Sequence, residues 1–304
     1  MFDIVGDIHG HSDLLVQLLQ KLNHLDNNEN IIDNPHGRKL IFCGDLINRG
    51  PDTPKVLAIV KSLHDKGCAE VIPGNHEFFS LFYHLYGKEE FIQPYISKKA
   101  IAFFEHTMIQ FRGKEKDWSM YMDWFMGFPM FIENDSLRVI HALWDDSYIQ
   151  YLKENLKNIS VGEVIKQIAK EKNLDLLYKT NKLLRGREIK FEKEEQKQLG
   201  LYYQKMRTKW WLQDGEYNFA EYFLNIPEKS KQLLKGYGTK HELRHAGDLP
   251  LFFGHYSIET TPYLTSPQFC CLDFGVANGG PLIAYQFDGE TVLSKEKLIA
   301  IYRK

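Results

Sequence analysis

Three apolar runs near the start of the chain, residues 2–5, 39–43 and 68–72, each break off into a glycine-bearing loop with side chains able to bind metal or phosphate. The first loop reads Val5-Gly6-Asp7-Ile8-His9-Gly10. The second is Gly44-Asp45-Leu46-Ile47-Asn48-Arg49-Gly50-Pro51, and the third Pro73-Gly74-Asn75-His76-Glu77. Helical signals follow the first two. Ser12 is placed to cap a helix carrying Leu14, Leu15, Leu18, Leu19 and Leu22, and a second helix is expected over about 53–66. Residues 26–37 between them are rich in Asn and Asp and read as a loop. A repeated strand–loop–helix pattern predicts an α/β fold with parallel strands, whose sites gather at the carboxyl ends of the strands.

Residues 78–127 predict aromatic-rich helix, and the apolar spacing of 118–126 reads as a packing face. Residues 129–132 and 137–140 flank the turn Glu133-Asn134-Asp135-Ser136 and predict a hairpin whose second arm ends at His141-Ala142. Residues 145–240 differ. They are rich in Lys and Glu and predict two or three weak helices and a turn near Gly215. The strand pattern resumes at 249–253, ending in Gly254-His255, then at 269–272, leading to Asp273, and at 282–287. Residues 295–303 predict a short terminal helix or tail. The organisation expected is a single domain over 1–304 with a mainly helical cap inserted at about 145–245.

Composition narrows the setting. The 304 residues are 43% hydrophobic with a formal net charge of -2, so nucleic-acid binding by bulk charge is not expected and phosphate recognition must be local. Cys43, Cys68, Cys270 and Cys271 form no Cys-x-x-Cys pair, which favours reduced, buried thiols. The chain opens on a strand with no basic-then-apolar leader, and no apolar run approaches membrane-spanning length. A cytoplasmic protein without membrane association is expected.

Five strand ends together carry Asp7, His9, Asp45, Asn75, His76, His141 and His255. Such a mixed oxygen and nitrogen set suits two divalent metals sharing one carboxylate, as in hydrolytic sites whose ions lie ~3.5–4 Å apart.

In this order, Gly6-Asp7-Ile8-His9-Gly10, Gly44-Asp45 to Asn48-Arg49-Gly50, Gly74-Asn75-His76-Glu77, His141 and Gly254-His255 resemble the signature of the calcineurin-like metallophosphoesterases. The resemblance is to the phosphoprotein-phosphatase-like branch, with bacterial symmetrical diadenosine-tetraphosphatase-like members, over roughly 1–145 and 248–290. It implies a sandwich of two mixed β-sheets flanked by helices. It implies that Asp7, His9 and Asp45 hold one metal and that Asp45 bridges to a second held by Asn75, His141 and His255. The metals are expected to be manganese, with iron or zinc as alternatives. A metal-activated hydroxide would attack phosphorus, Arg49 would grip phosphate oxygens, and His76 would protonate the leaving oxygen. Glu77 is expected to cap or brace the following helix. Arg207, beside Trp210 and Trp211, is chosen over Arg185 and Arg187 as the second phosphate-binding cation, held by stacking.

Two departures stand out. The branch usually has Asp where this chain has Asn48, which is expected to orient His76 through its amide oxygen without adding charge. The branch usually shows His-Gly-Gly where this chain has His141-Ala142-Leu143-Trp144, whose bulk is expected to narrow the floor beside His141. The function expected is hydrolysis of phosphate monoesters, protein-phosphatase-like. The alternatives are hydrolysis of dinucleoside tetraphosphates and a catalytically weak, metal-bound scaffold. The partner would be a phosphoprotein, a dinucleoside polyphosphate or a small phosphate ester.

Overall fold

The computed structural model describes residues 1–87, 97–243 and 247–303. The part of the expected 78–127 helical stretch at 88–96 lies outside the described residues, as do 244–246 in the expected cap. The strand–helix units run in chain order: β1 Phe2–Val5, α1 Ser12–Lys21, β2 Lys39–Phe42, α2 Thr53–Asp65, β3 Ala69–Val71 and α3 Asn75–Tyr86. α4 Lys98–Gln110 and α5 Glu115–Met126 follow, then the hairpin β4 Phe131–Glu133 and β5 Arg138–Ile140. Leucines on one face of α1 face the side of its sheet formed by the strands Leu282–Phe287 and Leu298–Ile301, as their spacing requires, with Leu14, Leu15, Leu18 and Leu19 fully buried. Ser12 does not cap α1. Its hydroxyl donates to Asp52, which itself caps α2 by accepting from the Lys55 N–H.

Residues 146–241 hold α6 Asp146–Asn155, α7 Val161–Glu171 and α8 Leu174–Arg185. Then come β6 Glu188–Lys190, α9 Lys193–Gln198, β7 Lys205–Arg207, β8 Gly215–Asn218, α10 Phe219–Tyr222, α11 Glu228–Leu234 and β9 Gly238–His241. The two-stranded ribbons β6–β7 and β8–β9 were not expected; their strands are three or four residues long, too short for a legible alternation. Val161, Val164, Ile165 and Ile168 of α7 and Leu176, Leu177, Leu183 and Leu184 of α8 join the main core. Phe191, Leu199, Leu201, Met206, Tyr222, Phe223 and Leu234 form a second, smaller core.

The chain closes with β10 Leu251–Phe253, β11 Phe269–Cys271, β12 Leu282–Phe287 and β13 Leu298–Ile301. Two mixed sheets result. One has the order β13-β12-β1-β2-β3, with β1, β2 and β3 parallel and β12 antiparallel to β1; the other has the order β11-β10-β5-β4, with β5, β10 and β11 parallel. β13 corrects the expected terminal helix or tail. Leu298-Ile-Ala-Ile301 pairs antiparallel with β12 and covers the sheet edge. No helix among the described residues is long and apolar enough to cross a membrane. All four cysteines are free, three of them buried.

A buried ion network fastens the strand starts. Arg38 donates through Nε to Asp3 at 2.6 Å, through Nη2 to the Phe2 and Phe287 carbonyls at 2.6 and 3.0 Å, and through Nη1 to Asp288. His24 Nε2 meets the other Asp3 oxygen at 2.7 Å. Removing one partner of a buried pair leaves an uncompensated charge. Arg38→Met is therefore expected to lower unfolding free energy by about 3–5 kcal/mol. Urea unfolding measures this, and metal affinity of the folded protein should be unchanged.

Candidate metal centre

The five loops meet because β1, β2 and β3 in one sheet, and β5 and β10 in the other, release their carboxyl ends toward one cleft. Asp45 lies at the junction. Its Oδ2 is 3.6 Å from His9 Nε2 and 3.9 Å from His76 Nε2, and its Oδ1 is 3.5 Å from His141 Nε2. Asp7 Oδ2 stands 4.0 Å from His9 Nε2. Asn75 Oδ1 lies 2.8 Å from His255 Nδ1 and 3.3 Å from His141 Nε2. Two groups, His9–Asp45–His76 and Asp45–His141–His255, bring their ligand atoms within 4.8 Å of one another. The structure thus gathers Asp7, His9, Asp45, Asn75, His76, His141 and His255 in one site.

The arrangement suits a cation. His9 Nδ1 donates to the Ile47 carbonyl at 3.0 Å and His141 Nδ1 to the Cys43 carbonyl at 2.7 Å. Each bond fixes the tautomer and leaves a bare Nε2 facing carboxylate oxygens. Acceptor facing acceptor in a buried site needs positive charge between them. Burial pushes the His9 and His255 pKa values down, so both rings stay neutral, the form a metal binds. Burial, then Asp273 and Asp45, push the Asp7 pKa well up. For Asp45 burial works the same way, but His141, His76 and His9 outweigh it and hold its pKa well down. His141 alone is raised, because Asp45 outweighs burial. Mixed O/N donors of this kind fit manganese, iron or zinc.

The backbone is bent to present these groups. Among the described residues ten non-glycine residues have positive φ, and five of them are His9, Asp45, Asn48, Arg49 and His255, so left-handed strain concentrates at the site. Glu77 stabilises the Asp45 loop. Its buried carboxylate accepts from the N–H groups of Asp45 and Leu46 at 2.8 Å, Ile47 at 3.1 Å and Gly74 at 2.8 Å. Glu77 thus braces the preceding loop as well as the start of α3. Gly254 lets β10 approach closely, since a Cβ there would fall 2.0 Å from Asp7 Oδ1.

Around His76 the structure departs from the sequence reading. Asn48 turns its amide nitrogen, not its oxygen, to His76 Nδ1 at 2.7 Å. The other end of the amide meets Thr107 on α4, whose buried hydroxyl donates to Asn48 Oδ1 at 2.5 Å. The His76 proton is then on Nε2, and burial, with help from His9 and Arg49, lowers the ring's pKa to about 3. Phe103, also on α4, packs 5.5 Å from the His76 ring, and the Arg49 guanidinium sits 5.3 Å from its centroid. Residues 98–110 read only as aromatic-rich helix, so Phe103 and Thr107 were missed. An aromatic one helical turn from a hydroxyl carries no distinctive signal.

The cleft's empty volume, counted out to open solvent, is about 1090 Å³. Arg49, Asn48, Asn75, Arg185 and Arg207 line it. Arg207 is held by donating to the His255 carbonyl at 2.8 Å, not by stacking on tryptophan. Trp210 and Trp211 instead pack on Phe253, each at 5.1 Å between ring centroids. Arg187 faces Asp145 at 3.6 Å. Ala142, Leu143 and Trp144 do not line the cleft. The Ala142 and Leu143 N–H groups donate to the Leu183 carbonyl at 3.2 and 3.0 Å, and Trp144 turns into the core against Phe131.

A family model for calcineurin-like phosphoesterases matches residues 1–207. The chain belongs to the calcineurin-like phosphoesterase family. Among curated relatives of this family, it is 43% identical over 75 residues to the asymmetrical bis(5'-nucleosyl)-tetraphosphatase PrpE of Halalkalibacterium halodurans, covering 25% of this chain and 30% of that one. It is 33% identical over 171 residues to the symmetrical bis(5'-nucleosyl)-tetraphosphatase of a Marinomonas species, covering 53% of each. The matched stretch therefore spans from under a third to about half of these relatives. A solved cold-active protein-tyrosine phosphatase of a Shewanella species aligns with 98% of this chain and 79% of its own, at a TM-score of 0.49 and 14% identity.

Glu77→Gln keeps the size but turns an amide NH₂ toward backbone donors. It is expected to weaken manganese binding about 10–100-fold, the usual cost of losing an outer-sphere support. It should also lower stability by about 2–3 kcal/mol, the cost of a charged hydrogen bond. Calorimetric metal titration and urea unfolding test both; unaltered metal affinity would rule out the brace.

Proposed function

We propose that this chain is a metal-dependent phosphoesterase whose substrates are dinucleoside polyphosphates. The carrying observation is the buried Asp45 carboxylate facing the Nε2 atoms of His9, His76 and His141 at 3.5–3.9 Å. Asp7, His9 and Asp45 would hold one metal ion, and Asp45, Asn75, His141 and His255 a second, with manganese the first choice. When bound, the metals supply positive charge for phosphoryl oxygens and make a nearby water more acidic. The protein's own groups do the rest. Arg49 offers a guanidinium fork to the phosphoryl oxygens, braced on the Phe103 face. His76 turns Nε2 to the site side; in its protonated form the ring gives the Nε2 proton to the leaving oxygen and returns to neutral imidazole. Arg207, tied by one nitrogen to the His255 carbonyl, keeps its other N–H groups for phosphate.

The sequence put phosphate monoesters first. The names of the tetraphosphatase relatives move dinucleoside polyphosphates ahead, and a protein-phosphatase-like activity becomes the second reading. Residues 145–245 act as a cap inserted in one domain; Leu184, Arg185 and Arg207 lining the cleft support this. Free, mostly buried cysteines fit a reducing, cytoplasmic setting.

Manganese-loaded protein offered p-nitrophenyl phosphate, a phosphopeptide and diadenosine tetraphosphate is expected to show the highest kcat/KM on the last. His76→Ala should lower kcat by about 10²–10³-fold. Highest activity on the phosphopeptide would install the second reading, and no metal-dependent activity on any substrate would favour the scaffold. In Asn48→Asp the carboxylate presents an acceptor to His76 and supports its protonated form. Turnover of an alkyl phosphate is then expected to rise about tenfold relative to an aryl phosphate, whose leaving group needs no acid. An unchanged ratio would remove Asn48 from the acid's support.

A further inference from the structure

Part of the cleft wall is apolar and comes from three helices. α3 contributes Phe79 and Phe82, α4 contributes Phe103, and α8 contributes Leu177 and Asn181. Phe82 is buried and Phe79 and Phe103 are half-buried, so aromatic surface is open to the cleft. Asn181 is half-buried and its side chain makes no hydrogen bond to the described residues, although it lines the cleft. An amide both donates and accepts, so it can match a paired acceptor and donor on the edge of a heterocycle.

Several cations share the same cleft. Arg49, Lys99, Arg185 and Arg207 all line the cleft, while Asp45 is its one lining carboxylate among the described residues. Lys99 Nζ sits 5.7 Å from the Phe103 centroid, on the ring that also holds Arg49. A single phosphoryl group has three free oxygens, which metal ions and one guanidinium already satisfy. The remaining cations match further phosphates. Flat apolar walls, an uncommitted amide and surplus cations occur together in one cleft.

We propose that the part of the cleft formed by Phe79, Phe82, Phe103, Leu177 and Asn181 is a subsite for the base of a nucleoside oligophosphate, with Lys99, Arg185 and Arg207 meeting phosphates beyond the one attacked. The assignment rests on the phosphoesterase reading and adds to it the residues that select the substrate. The base stacks on the phenylalanine faces and Asn181 reads its edge. An aryl phosphate such as phosphotyrosine is a poorer match, because its ring joins the reacting phosphate directly and leaves the outer cations unused.

The test uses manganese-loaded protein and equilibrium calorimetry with three non-hydrolysable probes: β,γ-methylene-ATP, methylenediphosphonate and phenylphosphonate. The nucleotide analogue is expected to bind at least about tenfold more tightly than methylenediphosphonate, the scale of one base stacked on an aromatic ring. Asn181→Ala and Phe79→Ala should each shrink that margin to about threefold or less. Should Phe79→Ala fail to fold, Phe79→Leu keeps apolar volume while losing the flat face. Equal wild-type affinity for the nucleotide and methylenediphosphonate would overturn the subsite. So would a margin that survives both substitutions, or phenylphosphonate binding more tightly than the nucleotide. A parallel p-nitrophenyl phosphate assay separates the two claims. Loss of metal-dependent turnover there fails the phosphoesterase reading, while the binding margin still decides the subsite.

Discussion

The buried Glu77 carboxylate is what the site depends on most. Four backbone N–H groups converge on it, three from residues 45–47 and one from Gly74. Without an acceptor there, those donors would be buried and unpaired, and the loop after β2 could not hold its left-handed residues. With it, Asp45 reaches the centre of the cleft while Asn48 and Arg49 turn toward His76 and Phe103. The arrangement has an electrostatic cost. Burial and the neighbouring Asp45 charge push the Glu77 pKa up to about 7 against the pull of its backbone donors. A cation at Asp45 would offset the second of these causes, so brace and metal site support each other.

The sheets deliver ligands from opposite sides for a topological reason. β1, β2 and β3 run parallel in one sheet, and β5 and β10 run parallel in the other. Each therefore releases its chain at the same kind of end, and His141 and His255 from one sheet meet Asp45 and Asn75 from the other. Close backbone approach at Gly254 brings the seam together, since any side chain there would occupy the place of the Asp7 carboxylate. The His255 N–H then donates to Asp7 at 3.1 Å, tying the last ligand loop to the first. The resulting cluster of carboxyl groups and imidazoles is close-packed and able to hold a cation.

Most of this was legible in the sequence because it is local. A strand end, a glycine and a ligand-type side chain within five residues can be read without a partner, and that is how Asp7, His9, Asp45, Asn75, His141 and His255, which the fold gathers in one site, were picked out. What could not be read depends on contacts across long separations. Thr107 sits 59 positions from the Asn48 oxygen it meets, so no local pattern places that hydroxyl against the amide. Arg207 was read from its neighbours Trp210 and Trp211, yet those rings pack into the core and a carbonyl 48 positions away holds the guanidinium. β13 was missed because Leu298-Ile-Ala-Ile301 has no alternation; its edge position comes from β12 and not from its own pattern.

The bulk after His141 carries the same lesson into function. In isolation Ala142, Leu143 and Trp144 look like obstacles beside a metal ligand. In the fold the Ala142 and Leu143 N–H groups bind the Leu183 carbonyl at the end of α8, and the side chains turn away from the cleft. α8 also carries Leu177, Asn181, Leu184 and Arg185 along the cleft wall. The loop that presents His141 is thus bonded to the helix that shapes the substrate side. A shift of α8 by even a fraction of a turn would move both together, because a close-packed core transmits displacement without absorbing it. Two backbone hydrogen bonds thus tie the loop bearing His141 to the helix along the cleft wall, and a glycine pair in place of Ala142 and Leu143 would keep those bonds while giving up the buried side chains that pack the loop in place.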